Sequence, residues 1–134
     1  MTARTRKPRA LTLKDAFETE FARREMERRA REEAERRQQE QDLASAQALY
    51  EAVRADADFL KARALGADLR RYTVSLDHKA YRIAAYFEAG KASVTLSDKR
   101  TASPGSTAPR KQETVESVED ALKVMAQFLA DETR

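Results

Sequence analysis

The sequence predicts an α+β protein: a long N-terminal helix that is partly coiled-coil-like, a three-stranded antiparallel β-meander, and a C-terminal amphipathic helix. Three observations predict it. Neither Gly nor Pro occurs between Pro8 and Gly66, and helix formers dominate that stretch. Past Gly66 the apolar period changes from helical to alternating. After a Ser/Thr/Pro/Gly-rich stretch the helical period returns up to the C-terminus.

Residues 1–10 carry Arg4, Arg6, Lys7 and Arg9 with no acidic residue and no apolar period, so they read as a disordered basic arm. Pro8 opposes an early helix start. Thr12 followed by Asp15 resembles a capping box, which opens a helix expected over 11–65. At 1.5 Å per residue it would be about 75 Å long. Its first turns place Leu13, Phe17 and Phe21 at i, i+4 and i+8, a narrow apolar stripe suited to a partner. From Glu20 to Asp42 the apolar seam is almost lost. In its place stand Glu20–Arg24, Glu25–Arg29, Glu27–Arg31, Glu32–Arg36 and Glu33–Arg37. Each has the acid four residues before the base, the favourable orientation, worth roughly 0.2–0.5 kcal/mol. From Leu43 a heptad-like seam returns through Ala46, Tyr50, Val53, Ala57, Leu60 and Ala64. Leu43, Tyr50, Val53 and Leu60 are its larger members and the expected self-association seam; packing on the following domain is the competing use. Gly66 stands where a helix C-terminal cap is expected.

Residues 67–134 are expected to form a small α+β head. Tyr72, Val74 and Leu76 alternate with polar residues, as do Tyr81, Ile83, Ala85 and Phe87, and Val94 and Leu96. Asp77-His78-Lys79 and Glu88-Ala89-Gly90-Lys91 are the turns between them. Residues 98–112 read as a mobile basic loop holding Lys99, Arg100, Arg110 and Lys111. Ser117 with Asp120 then opens a closing helix, whose stripe is Val118, Ala121, Leu122, Met125, Phe128 and Leu129.

The composition excludes several chemistries. With no Cys there is no disulfide, thiolate metal site or cysteine nucleophile. His78, the single histidine, sits in a predicted turn and reads as a turn residue. The three glycines form no phosphate-binding or nucleophile-elbow motif. The expectation is a non-catalytic protein with no cofactor and no metal. No apolar run approaches the ~20 residues of a membrane span, and no signal-like apolar stretch follows the basic arm, so a cytoplasmic setting without membrane contact is expected.

Charged residues make up 37% of the chain, yet 26 basic and 23 acidic residues leave only +3. The unpaired positive charge is concentrated in the arm and the loop. The function expected from this layout is a binding or adaptor protein. It would form a homodimer through its long helix and contact another protein through its head. The alternative is a nucleic-acid-associated protein that binds DNA or RNA phosphates non-specifically. Arg4, Arg6, Lys7 and Arg9 of the arm and Lys99, Arg100, Arg110 and Lys111 of the loop would make those contacts.

Overall fold

The computed structural model describes residues 10–99 and 109–133. The element order is α1 (Leu13–Arg54), α2 (Ala57–Ala62), β1 (Gly66–Arg70), β2 (Thr73–Asp77), β3 (Tyr81–Glu88), β4 (Lys91–Asp98), β5 (Lys111–Val115) and α3 (Val118–Glu132). The fold is α+β, with a long N-terminal helix, an antiparallel sheet and a C-terminal helix, but the sheet has five strands rather than three. The chain divides into two units, one up to Arg36 and one from Arg37 onward.

In the first unit α1 opens at Thr12, whose hydroxyl accepts the Asp15 N–H at 3.1 Å. Its surface is cross-linked by charge. Arg23 bridges Glu20 and Glu27, and Arg28 bridges Glu25 at 2.9 Å and Glu32 at 2.5 Å. Of the predicted pairs, Glu20–Arg24 forms at 3.1 Å. The guanidinium fork also reaches back three residues while reaching forward four, so these arginines bind two acids each. The hydrogen bonds from Arg23, then from Arg24, pull the Glu20 carboxyl down to about 2.

The second unit is built on a meander in which every neighbouring strand pair is antiparallel, in the order β1-β2-β3-β4-β5. Successive strands align Leu69, Val74, Ala85 and Val94 in one row and Ala67, Leu76, Ile83 and Leu96 in the next. These rows share one face, because side chains two apart in a strand point the same way. Helix α3 packs on β3, β4 and β5. Ala46, Leu49 and Val53 of α1, Leu60 of α2, and Val124, Met125 and Phe128 of α3 complete one core with the sheet. Burial of the Tyr81 ring raises its phenol above the usual range.

The expected helix over 11–65 is interrupted. α1 runs without a break through residues 40–44 and stops at Arg54; Ala55 and Asp56 turn the chain into the short α2. The α2 end is closed by a double hydrogen bond, Leu65 N–H to the Leu60 carbonyl at 2.9 Å and Ala64 N–H to the Lys61 carbonyl at 3.2 Å. This is a Schellman motif with Ala64 at the left-handed position, φ 57°. Gly66, the expected cap, is the first residue of β1. The β1 and β5 strands were not expected from the pattern. Each is an edge strand, and GADLR and KQETV carry too few apolar residues to show alternation. Tyr72, expected in a strand, lies in the β1–β2 turn. Ser117 caps α3 as expected, its hydroxyl accepting the Asp120 N–H at 3.0 Å.

One buried carboxylate ties α1 to the sheet. Asp42 is 5% exposed. Its Oδ2 accepts the Ala89 N–H at 2.9 Å, and its Oδ1 accepts the Gly90 N–H at 2.9 Å and the Gln38 Nε2–H at 3.0 Å. Ala89 and Gly90 form the β3–β4 turn with φ of 53° and 78°. Positive φ at both central residues is the twist that closes a two-residue hairpin. It also turns two successive N–H groups toward the carboxylate.

Candidate interaction surfaces

The expected self-association seam is partly used within the chain. Val53 and Leu60 are core residues of the head, and Tyr50 packs against that core half-buried. Leu43 stays 44% exposed. The heptad is therefore interrupted at Ala55–Asp56, and its inner members face the chain's own sheet and helices. Val53 and Leu60 take the competing use, packing on the chain's own domain, where an apolar sheet face buries them.

What the sheet leaves uncovered is a cleft between the α1–α2 corner and α3, with a volume of about 690 Å³. Leu76 of β2, Val53, Leu60, Met125 and Leu129 line it. Phe59 and Leu122 also line it and remain 46% and 38% exposed. The α2 wall of the cleft is only six residues long. Two charged residues line the cleft, Asp56 and Arg63, one at each end of α2. The Arg63 guanidinium lies over the Phe59 ring, 5.7 Å from its centroid. The Asp56 side chain caps no N–H of α2.

The second apolar surface is the stripe on the first unit. Leu13, Phe17 and Phe21 are 87%, 60% and 55% exposed. The two rings touch each other, with centroids 5.7 Å apart, and the stripe stays open to solvent. It is the one feature of α1's first turns that the charge ladder does not account for.

Three residues expected to contact nucleic acid lie among the described residues, and each is paired with a carboxylate of the same head. Lys99 Nζ meets Asp77 Oδ1 at 3.0 Å, Arg110 meets Glu132 at 2.5 Å, and Lys111 meets Asp131 at 2.7 Å. The hydrogen bond to Glu132 raises the already high Arg110 value further. Lys111 also sits over the Phe128 ring, 5.8 Å from its centroid. Arg4, Arg6, Lys7, Arg9 and Arg100, with the arm and most of the loop, lie outside the described residues.

His78 holds its turn. Its Nδ1 accepts the Ala80 N–H at 3.1 Å, and its ring stacks on Tyr81 with centroids 4.5 Å apart. Among the described residues no cluster of three or more His, Asp or Glu side chains is arranged to hold a metal ion, and no helix is long and apolar enough to cross a membrane. Comparison with protein-family models, with curated proteins and with solved structures finds no match.

Proposed function

We propose that this protein is a non-catalytic binding protein that self-associates and takes a partner on its α+β head. The observation that carries this reading is the open apolar cleft beside α2 and α3, with Phe59 and Leu122 left half-exposed at its mouth. Exposed aromatic and aliphatic side chains around a concave apolar floor are the usual make-up of a docking site. The Leu13–Phe17–Phe21 stripe supports the self-association in this reading. It gives α1 an apolar surface for self-association now that Val53 and Leu60 are taken up in the head. Three residues over two turns are too short for a coiled coil, which needs three or four heptads, so the stripe suits a local helix contact.

Light scattering on the full chain at tens of micromolar tests it. A particle of twice the chain mass is expected. The double variant Phe17→Ser, Phe21→Ser reports how much of the association α1 carries. A strictly monomeric wild type removes self-association from the reading.

A further inference from the structure

We infer that the cleft on the head is occupied by the same cleft of a second copy, across a two-fold axis that passes beside the Phe59–Leu60 step of α2. This rests on the reading of the head as a docking surface and names its partner.

Asp56 and Arg63 are the two charged residues lining the cleft, and among the described residues neither makes a salt bridge. Elsewhere in the head Lys99, Arg110 and Lys111 each have a carboxylate. Asp56, Phe59, Leu60 and Arg63 all line the cleft and so lie on the same side of α2. Asp56 and Arg63 are also equidistant in sequence from the Phe59–Leu60 step. A two-fold axis there sets two α2 helices antiparallel. It brings Asp56 of each copy to Arg63 of the other and makes both pairs at once. A surface of this kind is self-complementary, as an isologous contact requires.

Shape points the same way. In that arrangement Phe59 of each copy faces the mouth of the other's cleft, whose floor is Leu76, Leu60 and Met125. Leu122 flanks it from α3. Each exposed side chain at the mouth then has an apolar counterpart.

The area sets the strength. Helix α3 is about 22 Å long at 1.5 Å per residue, and α2 about 9 Å. These two elements carry the exposed Phe59 and Leu122 of the face. A face carried by two such short elements falls short of the ~800 Å² per partner of a standard stable interface, so the dimer is a weak one.

Sedimentation equilibrium of the full chain tests the inference. Phe59→Glu and Leu122→Glu, both at exposed positions, are expected to weaken the dimer at least about tenfold, as truncation of interface anchors does. Asp56→Arg alone sets like charges against Arg63, and Arg63→Asp alone sets Asp against Asp56; each is expected to weaken it about tenfold. The combined swap, Asp56→Arg with Arg63→Asp, rebuilds both pairs with reversed polarity and is expected to return to within about threefold of wild type. Recovery in the double variant separates pairing across the axis from damage to the fold. A dimer indifferent to all five changes overturns the inference; its loss in Phe17→Ser, Phe21→Ser then places self-association on α1 and leaves the proposed function intact. A monomeric wild type overturns the inference and the self-association together.

Discussion

Removing the Asp42 carboxylate is the most informative single change to the head. Its three acceptor contacts join residues far apart in sequence: Gln38 on α1, and the Ala89 and Gly90 amides of the β3–β4 turn. Hydrogen bonds to a charged group contribute about 1.5–3 kcal/mol each when the acceptor is desolvated. Here Asp42 is buried, but Ala89 and Gly90 are exposed, so water replaces part of what their amides lose. The Gln38 amide is half-buried and recovers similarly. Asp42→Ala is therefore expected to cost about 2–3 kcal/mol, below the simple sum of the bonds. For a unit of this size that lowers the melting temperature by roughly 10–20 °C. Asp42→Asn keeps the shape and one acceptor oxygen but sets an NH2 group against a turn N–H, and its cost is expected to be nearly as large. The chain has no Trp, so urea and thermal unfolding are followed by circular dichroism. A loss below about 0.5 kcal/mol for Asp42→Ala, the range of ordinary surface substitutions, would refute the idea that this carboxylate clasps α1 to the sheet.

Three further outcomes are expected. Ala64→Gly relieves a left-handed alanine at the α2 end and is expected to stabilise the head by about 0.5–1 kcal/mol, after the greater unfolded-state freedom of glycine is counted; a lower urea midpoint contradicts this. Glu20 has its carboxyl depressed to about 2 from the ordinary 4.5, so its support of α1 is complete above about 4.5 and is lost as pH falls through about 2. Carboxyl NMR titration should place its midpoint near that lower value, and Arg23→Gln should raise it; an unchanged midpoint in the variant would sink the assignment to Arg23. Replacing Lys99, Arg110 and Lys111 together by Gln should change oligonucleotide binding at low salt by less than about threefold, because all three are already paired with carboxylates; a loss of tenfold or more in a shift assay shows that those pairs open to phosphate.

Elements that bury a full face were legible in the sequence. β3 alternates without exception from Tyr81 to Glu88, and α3 carries its stripe behind a serine cap. The edge strands were not, since β1 and β5 each turn only a few apolar side chains inward and spend the rest on solvent. The end of α1 was hidden for a different reason. Arg54, Ala55 and Asp56 carry no Gly or Pro, and local propensity favours continuing the helix. It stops because Leu60 and Leu65 must reach the core over the sheet, a tertiary demand that overrides propensity. Ala64 hides the second helix end in the same way, holding a conformation that glycine announces and alanine does not. Asp42 carries no signal of its role in the sequence, since the turn amides it accepts lie 47 and 48 residues away. The apolar character of Val53 and Leu60 was plain in the sequence, but which surface they meet was not, because the cleft joins residues 53–63 with residues 122–133.

The charge excess takes on a different meaning once its partners are known. Helix α3 ends with Asp131 and Glu132 and has no basic residue in its last turn. Acids there face the negative end of the helix dipole, an unfavourable placement. Arg110 and Lys111 offset it from β5 and the residue before it, so the basic end of the loop and the acidic tail neutralise each other across the fold. The α1 ladder does the same within one helix. Such exposed pairs add little stability, so their main effect is to occupy these particular charges within the chain. Asp56 and Arg63 stand outside this internal neutralisation, at the two ends of an apolar mouth. Opposite charges flanking an apolar contact set register and orientation more than affinity. The two-fold contact inferred above would use the cleft, its exposed Phe59 and Leu122 and these two charges together.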